Sequence, residues 1–270
     1  MSKLNETEKQ SLKETAFAMA DVARAVTLRY FRQANLQTDN KYVEGFDPVT
    51  IADREAEQAM RAILQERRPD DGIRGEEFGD EPGSSGLTWV LDPIDGTRGF
   101  ISGTPTWGVL ISIRDQSGPI FGVIDQPYTG ERFIGGMGEA YMAGPHETKP
   151  LGVRGARPLH QSVLFTTFPE VGSAEEGAAF HDVAKQVQLT RYGMDCYAYA
   201  LLAHGQIDLV IEAGLQDFDI QAPIAVIEAA GGIVTDWQGR PAHDGGRALA
   251  ATNPETHAAA LAILSKTPEQ

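Results

Sequence analysis

A layered α/β fold is what this sequence predicts, and three observations predict it. Two helix-patterned stretches come first. Strand-like runs between residues 107 and 142 then follow one another through short turns, the mark of an antiparallel meander. Beyond residue 160, strand-like and helix-like segments alternate, and such alternation packs as helix layers against sheets.

The elements follow in order. Glu6 to Phe31 carries Leu12, Ala16, Met19, Ala20, Ala23 and Leu28 near helical spacing. Phe46-Asp47-Pro48 breaks the chain. Thr50 is placed to cap a second helix whose Ala56, Met60, Ile63 and Leu64 form one apolar face, and Arg67-Arg68-Pro69 ends it. Leu87 to Asp92 reads as a buried strand. The meander runs through Trp107 to Arg114, Ile120 to Asp125, Arg132 to Gly135 and Glu139 to Met142. Gln116-Ser117-Gly118-Pro119, Tyr128-Thr129-Gly130 and Gly135-Gly136 supply its turns.

Gly144 to His160 is rich in Gly, Pro and Arg and marks a boundary between two subdomains, 1–145 and 146–270. In the second, Ser162 to Thr166 and Asp208 to Glu212 read as strands, Ala174 to Gln188 and Cys196 to His204 as helices. Asp219 to Ala230 is helical and stops at Gly231-Gly232. Ile233 to Asp236 and Leu249 to Thr252 are further strands, and Pro254 to Leu264 a closing helix.

Composition excludes some functions. The 270 residues are 41% hydrophobic and 23% charged, ordinary for a globular chain, with a net charge of −15. That balance opposes non-specific binding to nucleic acid or to an anionic membrane, which needs basic surface. The single cysteine, Cys196, permits no intrachain disulfide. The N-terminal MSKLNETEKQ has no apolar signal core, and no apolar run approaches the ~20 residues of a membrane span. A cytoplasmic protein is the expectation.

Acids gather beside turns at four places: Asp47 and Asp53, Glu76-Glu77, Asp92 and Asp95, and Asp217 with Asp219. Carboxylates without His or Cys companions suit Mg²⁺, or Mn²⁺, rather than zinc. In "LDPIDGT", Pro93 stiffens the corner after the strand, so that Asp92 and Asp95 converge with the Ile94 carbonyl between them. Gly96 admits a close backbone approach, and the N–H groups after it can open a helix or turn that accepts an anion. Taken singly the acids have plainer readings. Asp219 reads as a helix cap, Asp195 as a cap for the helix near Cys196, and Glu76-Glu77 as a solvated loop. Cys196 reads as a small buried residue, and Tyr197 and Tyr199 as packing.

"GEE" (Gly75 to Glu77), "LDPIDGT" (Leu91 to Thr97) and "FDIQAPIAVIEAAGG" (Phe218 to Gly232) resemble, in order and spacing, the inositol-monophosphatase superfamily of Mg²⁺-dependent, lithium-sensitive phosphatases. Phe218 stands where that family usually has Trp. Arg98 after Thr97, "GVIDQPYTGERFIGG" and "RYGMDCYAYALLAHGQIDLVIEAGLQDFD" are most similar to its histidinol-phosphate phosphatase subgroup, with Met194 where a Gly is common.

The resemblance implies an alternating helix/sheet sandwich and a homodimer, and the acidic balance leads us to expect no nucleic-acid or membrane partner. The resemblance also implies that Glu76, Asp92, the Ile94 carbonyl, Asp95 and Asp219 bind two or three Mg²⁺ ions. By the same similarity Asp53 and Thr97 orient the attacking water with help from Glu76, and the Gly96 and Thr97 amides hold the phosphate. Asp195 and Glu212 fall where the family recognises the alcohol, and Arg98 is placed either to reach the substrate or to pair with an acid across a dimer contact. Acids there suit the ammonium and imidazole of histidinol. The implied substrate is a small phosphate monoester: L-histidinol phosphate first, inositol 1-phosphate or a sugar phosphate second. A non-catalytic binder is the third reading. Lys41 and Glu44, before Asp47, are expected to border the site.

Overall fold

The structure is a computed structural model describing residues 4–33, 38–40, 48–168 and 170–268; Lys41, Glu44 and Asp47 lie outside them. Helix α1 (Glu6–Tyr30) starts at Asn5, whose side chain accepts from the Glu8 amide while the Glu8 carboxylate accepts from Asn5 N–H. Leu12, Ala16, Met19, Ala20 and Ala23 are buried as expected. Leu28 is not: it is 38% exposed, and Thr27 takes the inward place with its hydroxyl bonded to the Ala23 carbonyl. Strands β1 (Thr38–Asn40) and β2 (Pro48–Thr50) pair antiparallel and lead into α2 (Ile51–Arg67), which Thr50 caps.

Next come β3 (Gly72–Gly75), β4 (Gly79–Glu81), β5 (Thr88–Asp95), the short helix α3 (Thr97–Ser102), β6 (Gly108–Asp115), β7 (Gly118–Gln126), β8 (Glu131–Gly136), β9 (Glu139–Ala143) and β10 (Thr148–Pro150). They form one eight-stranded sheet in the order β10-β9-β8-β7-β6-β5-β3-β4, antiparallel except where β3 runs beside β5. The meander is as the turn signals indicated. β3 and β4 carry no apolar alternation, and β4 is an edge strand, so pattern alone does not reveal them.

The remainder builds β11 (Val163–Thr166), α4 (Ala174–Ala184), β12 (Leu189–Tyr192), α5 (Tyr197–Ala203), β13 (Leu209–Leu215), α6 (Asp217–Ala229), β14 (Ile233–Thr235), β15 (Gly246–Ala251) and α7 (Pro254–Leu264). Five strands make a second sheet, β12-β11-β13-β15-β14. Helix α4 stops short of Gln188, whose amide instead bonds the Ser162 carbonyl and starts strand β12 beside β11.

Five layers result, helix and sheet alternating. On β6, Val109, Ile111 and Ile113 face α1 and α2, whereas Leu110 faces the opposite way with Ile124 and Phe133. That second face is covered by α5 and α6, which also pack on Val210, Ala248 and Ala250 of the second sheet. Helices α4 and α7 close the far side through Phe180, Val183, Ala260 and Leu264. Gly122 and Gly135 let α6 sit directly on the large sheet: a Cβ on either would lie 2.4 Å from α6 backbone atoms. The N-terminus of α6 is thereby held against the end of β5.

Candidate active site

Strand β5 does not stop at Asp92. It continues through Pro93 to Asp95 by a register shift against β6, where Asp92 opposes Leu110 and Asp95 opposes Gly108. Pro93 is therefore inside the strand rather than at a corner after it. A proline cannot donate to the ladder, and a bulge is where a strand tolerates one. The Asp92 Oδ1 accepts the Ile94 amide at 3.0 Å. Carboxylate oxygens of Asp92, Asp95 and Asp219 all lie within 4.8 Å of one another.

Asp219 arrives from the third residue of α6. Gln216, not Asp219, is the cap, and the Asp219 Oδ2 accepts the Gln216 amide at 2.7 Å. Glu76 follows β3 directly, its amide bonded to the Leu91 carbonyl at 3.2 Å. Burial pushes the Asp92 carboxyl well above its usual range, and Glu76, Asp95 and Asp219 push it further. Burial and the charge of Asp195 raise Asp95 to about 7, against the Cys196 amide, which donates to its Oδ2 at 2.6 Å. Asp219 is raised by burial and then by Asp95.

Asp53 adjoins this group. Its Oδ2 accepts the Thr50 amide (2.9 Å) and hydroxyl (2.6 Å), and its Oδ1 is 3.5 Å from the Thr97 hydroxyl. That hydroxyl also lies 3.2 Å from the Ile94 carbonyl. Burial raises Asp53 to about 7 although both Thr50 bonds oppose the shift. Between Asp95 and Thr97, Gly96 has φ +85°, and a Cβ there would strike the Asp195 side chain at 2.5 Å. Its freedom serves a left-handed turn and the close approach of that carboxylate.

Asp195 is thus no helix cap. Cys196 occupies the cap of α5 without a side-chain bond, while Asp195 Oδ2 accepts the Thr106 hydroxyl at 2.7 Å. No donor among the described residues meets its Oδ1. Glu212, 6% exposed on β13, accepts from the Thr167 amide (2.7 Å), the Thr167 hydroxyl (3.0 Å) and the Thr166 hydroxyl (3.1 Å). Burial lifts it to about 7 against those bonds, with Asp195 adding to the rise. Arg98 is exposed at the start of α3 and stacks 4.7 Å above the Phe168 ring. The structure therefore brings Asp53, Glu76, Asp92, Asp95, Thr97 and Asp219 to one end of β5, with Asp195 and Glu212 on the adjoining side.

Sequence reasoning missed three contributors. Buried Glu57 accepts the Glu77 and Phe78 amides and so holds the turn that presents Glu76. Arg74 bonds Asp217 at the start of α6. Tyr199 packs in the core as expected, but its buried hydroxyl has no hydrogen-bond partner among the described residues and faces the charges of Glu212, Asp95 and Asp219. Position along the chain signals none of these. His204 ends α5, His243 lies in a turn, and Cys196 is a buried thiol.

Buried carboxylates that raise one another's pKa need a positive partner. Oxygen donors without histidine or cysteine suit a hard divalent cation, so Asp92, Asp95 and Asp219 fit Mg²⁺. The model of the inositol monophosphatase family matches residues 8–269. The chain belongs to that family. Its members are phosphatases acting on small phosphate monoesters. A chloroplastic bifunctional phosphatase of Arabidopsis thaliana is 42% identical over 88% of this chain and 68% of its own. A histidinol-phosphatase of Chlorobaculum parvum is 33% identical over 89% and 91%. The solved inositol monophosphatase from Zymomonas mobilis superposes with a TM-score of 0.83 at 38% identity, covering 97% of this chain and all of that one. The family's layered fold is the one described above.

Proposed function

We propose that this phosphatase is Mg²⁺-dependent and removes phosphate from L-histidinol phosphate by attack of water. The observation carrying the substrate is Asp195. Its carboxylate is seated against Gly96 and Gly99, with one oxygen on Thr106 and the other without a protein donor among the described residues. Glu212 lies beyond it with acceptor capacity left on Oε2. A carboxylate at Asp195 with a free oxygen toward the alcohol side matches a cationic amino alcohol better than a neutral polyol, whereas Glu212 alone does not discriminate.

Glu76, Asp92, the Ile94 carbonyl, Asp95 and Asp219 would hold the ions, which supply neutralising charge and Lewis acidity toward the phosphate when bound. The Thr97 hydroxyl, between Asp53 and the Ile94 carbonyl, orients the water, and Asp53 accepts its proton. A carboxyl raised to about 7 is a fitting base near neutral pH. The Gly96 and Thr97 amides, at the left-handed turn before α3, hold phosphate oxygens, and Arg98 flanks the alcohol. A homodimer in the cytoplasm and the division into 1–145, with most ion ligands, and 146–270, with the alcohol site, complete the reading.

The test is kcat/KM on L-histidinol phosphate, inositol 1-phosphate and glycerol 2-phosphate with Mg²⁺. A preference of about tenfold for histidinol phosphate, ~1.4 kcal/mol in the transition state, is expected, and Asp195→Asn should erase it. Comparable rates would favour an inositol or broader phosphatase, the reading that the Zymomonas mobilis relative supports. No phosphate release from any ester would leave a non-catalytic binder.

A further inference from the structure

Arg74 precedes Glu76 by two residues, and Asp217 precedes Asp219 by two. The two meet across layers. Arg74 Nε lies 3.1 and 3.0 Å from the Asp217 carboxylate oxygens, and its Nη1 lies 2.9 Å from Asp80 on β4. The same guanidinium lies 5.7 Å from the Phe218 ring. One side chain thus joins the strand that presents Glu76 to the helix start that presents Asp219, two elements 143 residues apart. Asp219 cannot shift independently of that helix start, because its carboxylate accepts the Gln216 amide.

We propose that Arg74 is a positioning residue for the cation cradle, its bond to Asp217 setting where Glu76 stands relative to Asp219. The inference rests on the metal-dependent reading above. Its partners separate it from an ordinary surface ion pair, which fixes little. The planar guanidinium engages two carboxylates and a ring at once, a geometry that a lysine cannot reproduce. For a variant at Arg74, though not for one at Asp217, electrostatics alone predicts the opposite result. Removing a positive charge beside a cation site should tighten Mg²⁺ binding, whereas loosening the cradle should weaken it.

The experiment is calorimetric titration of the full chain with Mg²⁺, alongside the Mg²⁺-induced rise in Tm, for the wild type, Arg74→Gln, Asp217→Asn and the double variant. Both single variants should raise the Mg²⁺ Kd by roughly tenfold or more, as lost supporting contacts around metal ligands do. The double variant should be no weaker than the worse single one, because the pair acts as a unit. Arg74→Lys, retaining charge and stem, should fall between, and it stands in if Arg74→Gln does not fold. Unchanged or tighter binding in Arg74→Gln overturns the proposal, as does an additive double variant. A wild type that binds no Mg²⁺ overturns the metal-dependent reading itself, and this inference with it.

Discussion

Two fully covered aspartates on the large sheet have opposite surroundings. Asp125 on β7 is 0% exposed and accepts from Arg24 (3.0 and 2.7 Å) and Arg132 (2.6 Å). Asp92 on β5 is 2% exposed and faces Glu76, Asp95 and Asp219. The first pattern recurs where Asp208 meets Arg154 and Glu176 meets Arg247. Where a buried acid serves only the fold, this chain provides its own arginine. At the end of β5 it gathers acids instead and leaves the counter-charge to a ligand.

The sharpest way to break that contrast is Asp92→Asn. It should lower phosphatase activity by roughly a thousandfold, about 4 kcal/mol of lost transition-state stabilisation. It should also raise the Tm of the metal-free protein, since one of several repelling charges is gone. Arg132→Ala should do the reverse. Stability should fall by about 2 kcal/mol with or without Mg²⁺, Arg24 still holding Asp125, while kcat stays near wild type in saturating Mg²⁺. Denaturant melts and steady-state rates on both variants decide the matter. Equal metal dependence of their stabilities would erase the distinction.

Acidity sharpens it further. Asp53, Asp95 and Glu212 titrate at about 7 in the fold and near 4 in an unfolded chain. Between those values the folded state holds more protons, so the metal-free protein should lose stability as pH rises from about 4 to about 7. Of the three only Asp95 belongs to the cation cradle, and there Mg²⁺ competes with the proton, so the Tm rise that it causes should grow across the same window. Melts with and without Mg²⁺ test this, and a pH-independent Mg²⁺ effect would contradict it. The smallest effect is expected from Tyr199→Phe. Removing a buried hydroxyl without a partner among the described residues should leave the metal-free protein unchanged or up to about 1 kcal/mol more stable. A measured loss of stability would show that the hydroxyl is bonded.

Local chemistry decided what could be read in advance. The meander was legible because glycine-rich turns separate its apolar runs, and α2 because Thr50 caps it. The acids of "LDPIDGT" were legible because apolar strand residues run straight into them. The strand's continuation through Pro93 was not, since a proline reads as an ending unless the partner strand shows a bulge. Asp195 and Asp219 were each open to a capping role. Only the fold shows Thr106 and Gly96 against one, and Gln216 capping beside the other. Arg74 and Asp217 look like any surface charges, and nothing at their own positions announces the other.

The shared helical layer has a consequence for synthesis on the ribosome. Leu110, Ile124 and Phe133 sit on the face of the large sheet that α5 and α6 cover, and both helices come from the later part of the chain. A nascent chain that has emerged as far as β10 carries that apolar face bare, with Glu76, Asp92 and Asp95 already at one edge and Asp219 not yet made. Until α6 arrives that face lacks its cover, and exposed apolar sheet surface is the condition under which folding chains aggregate.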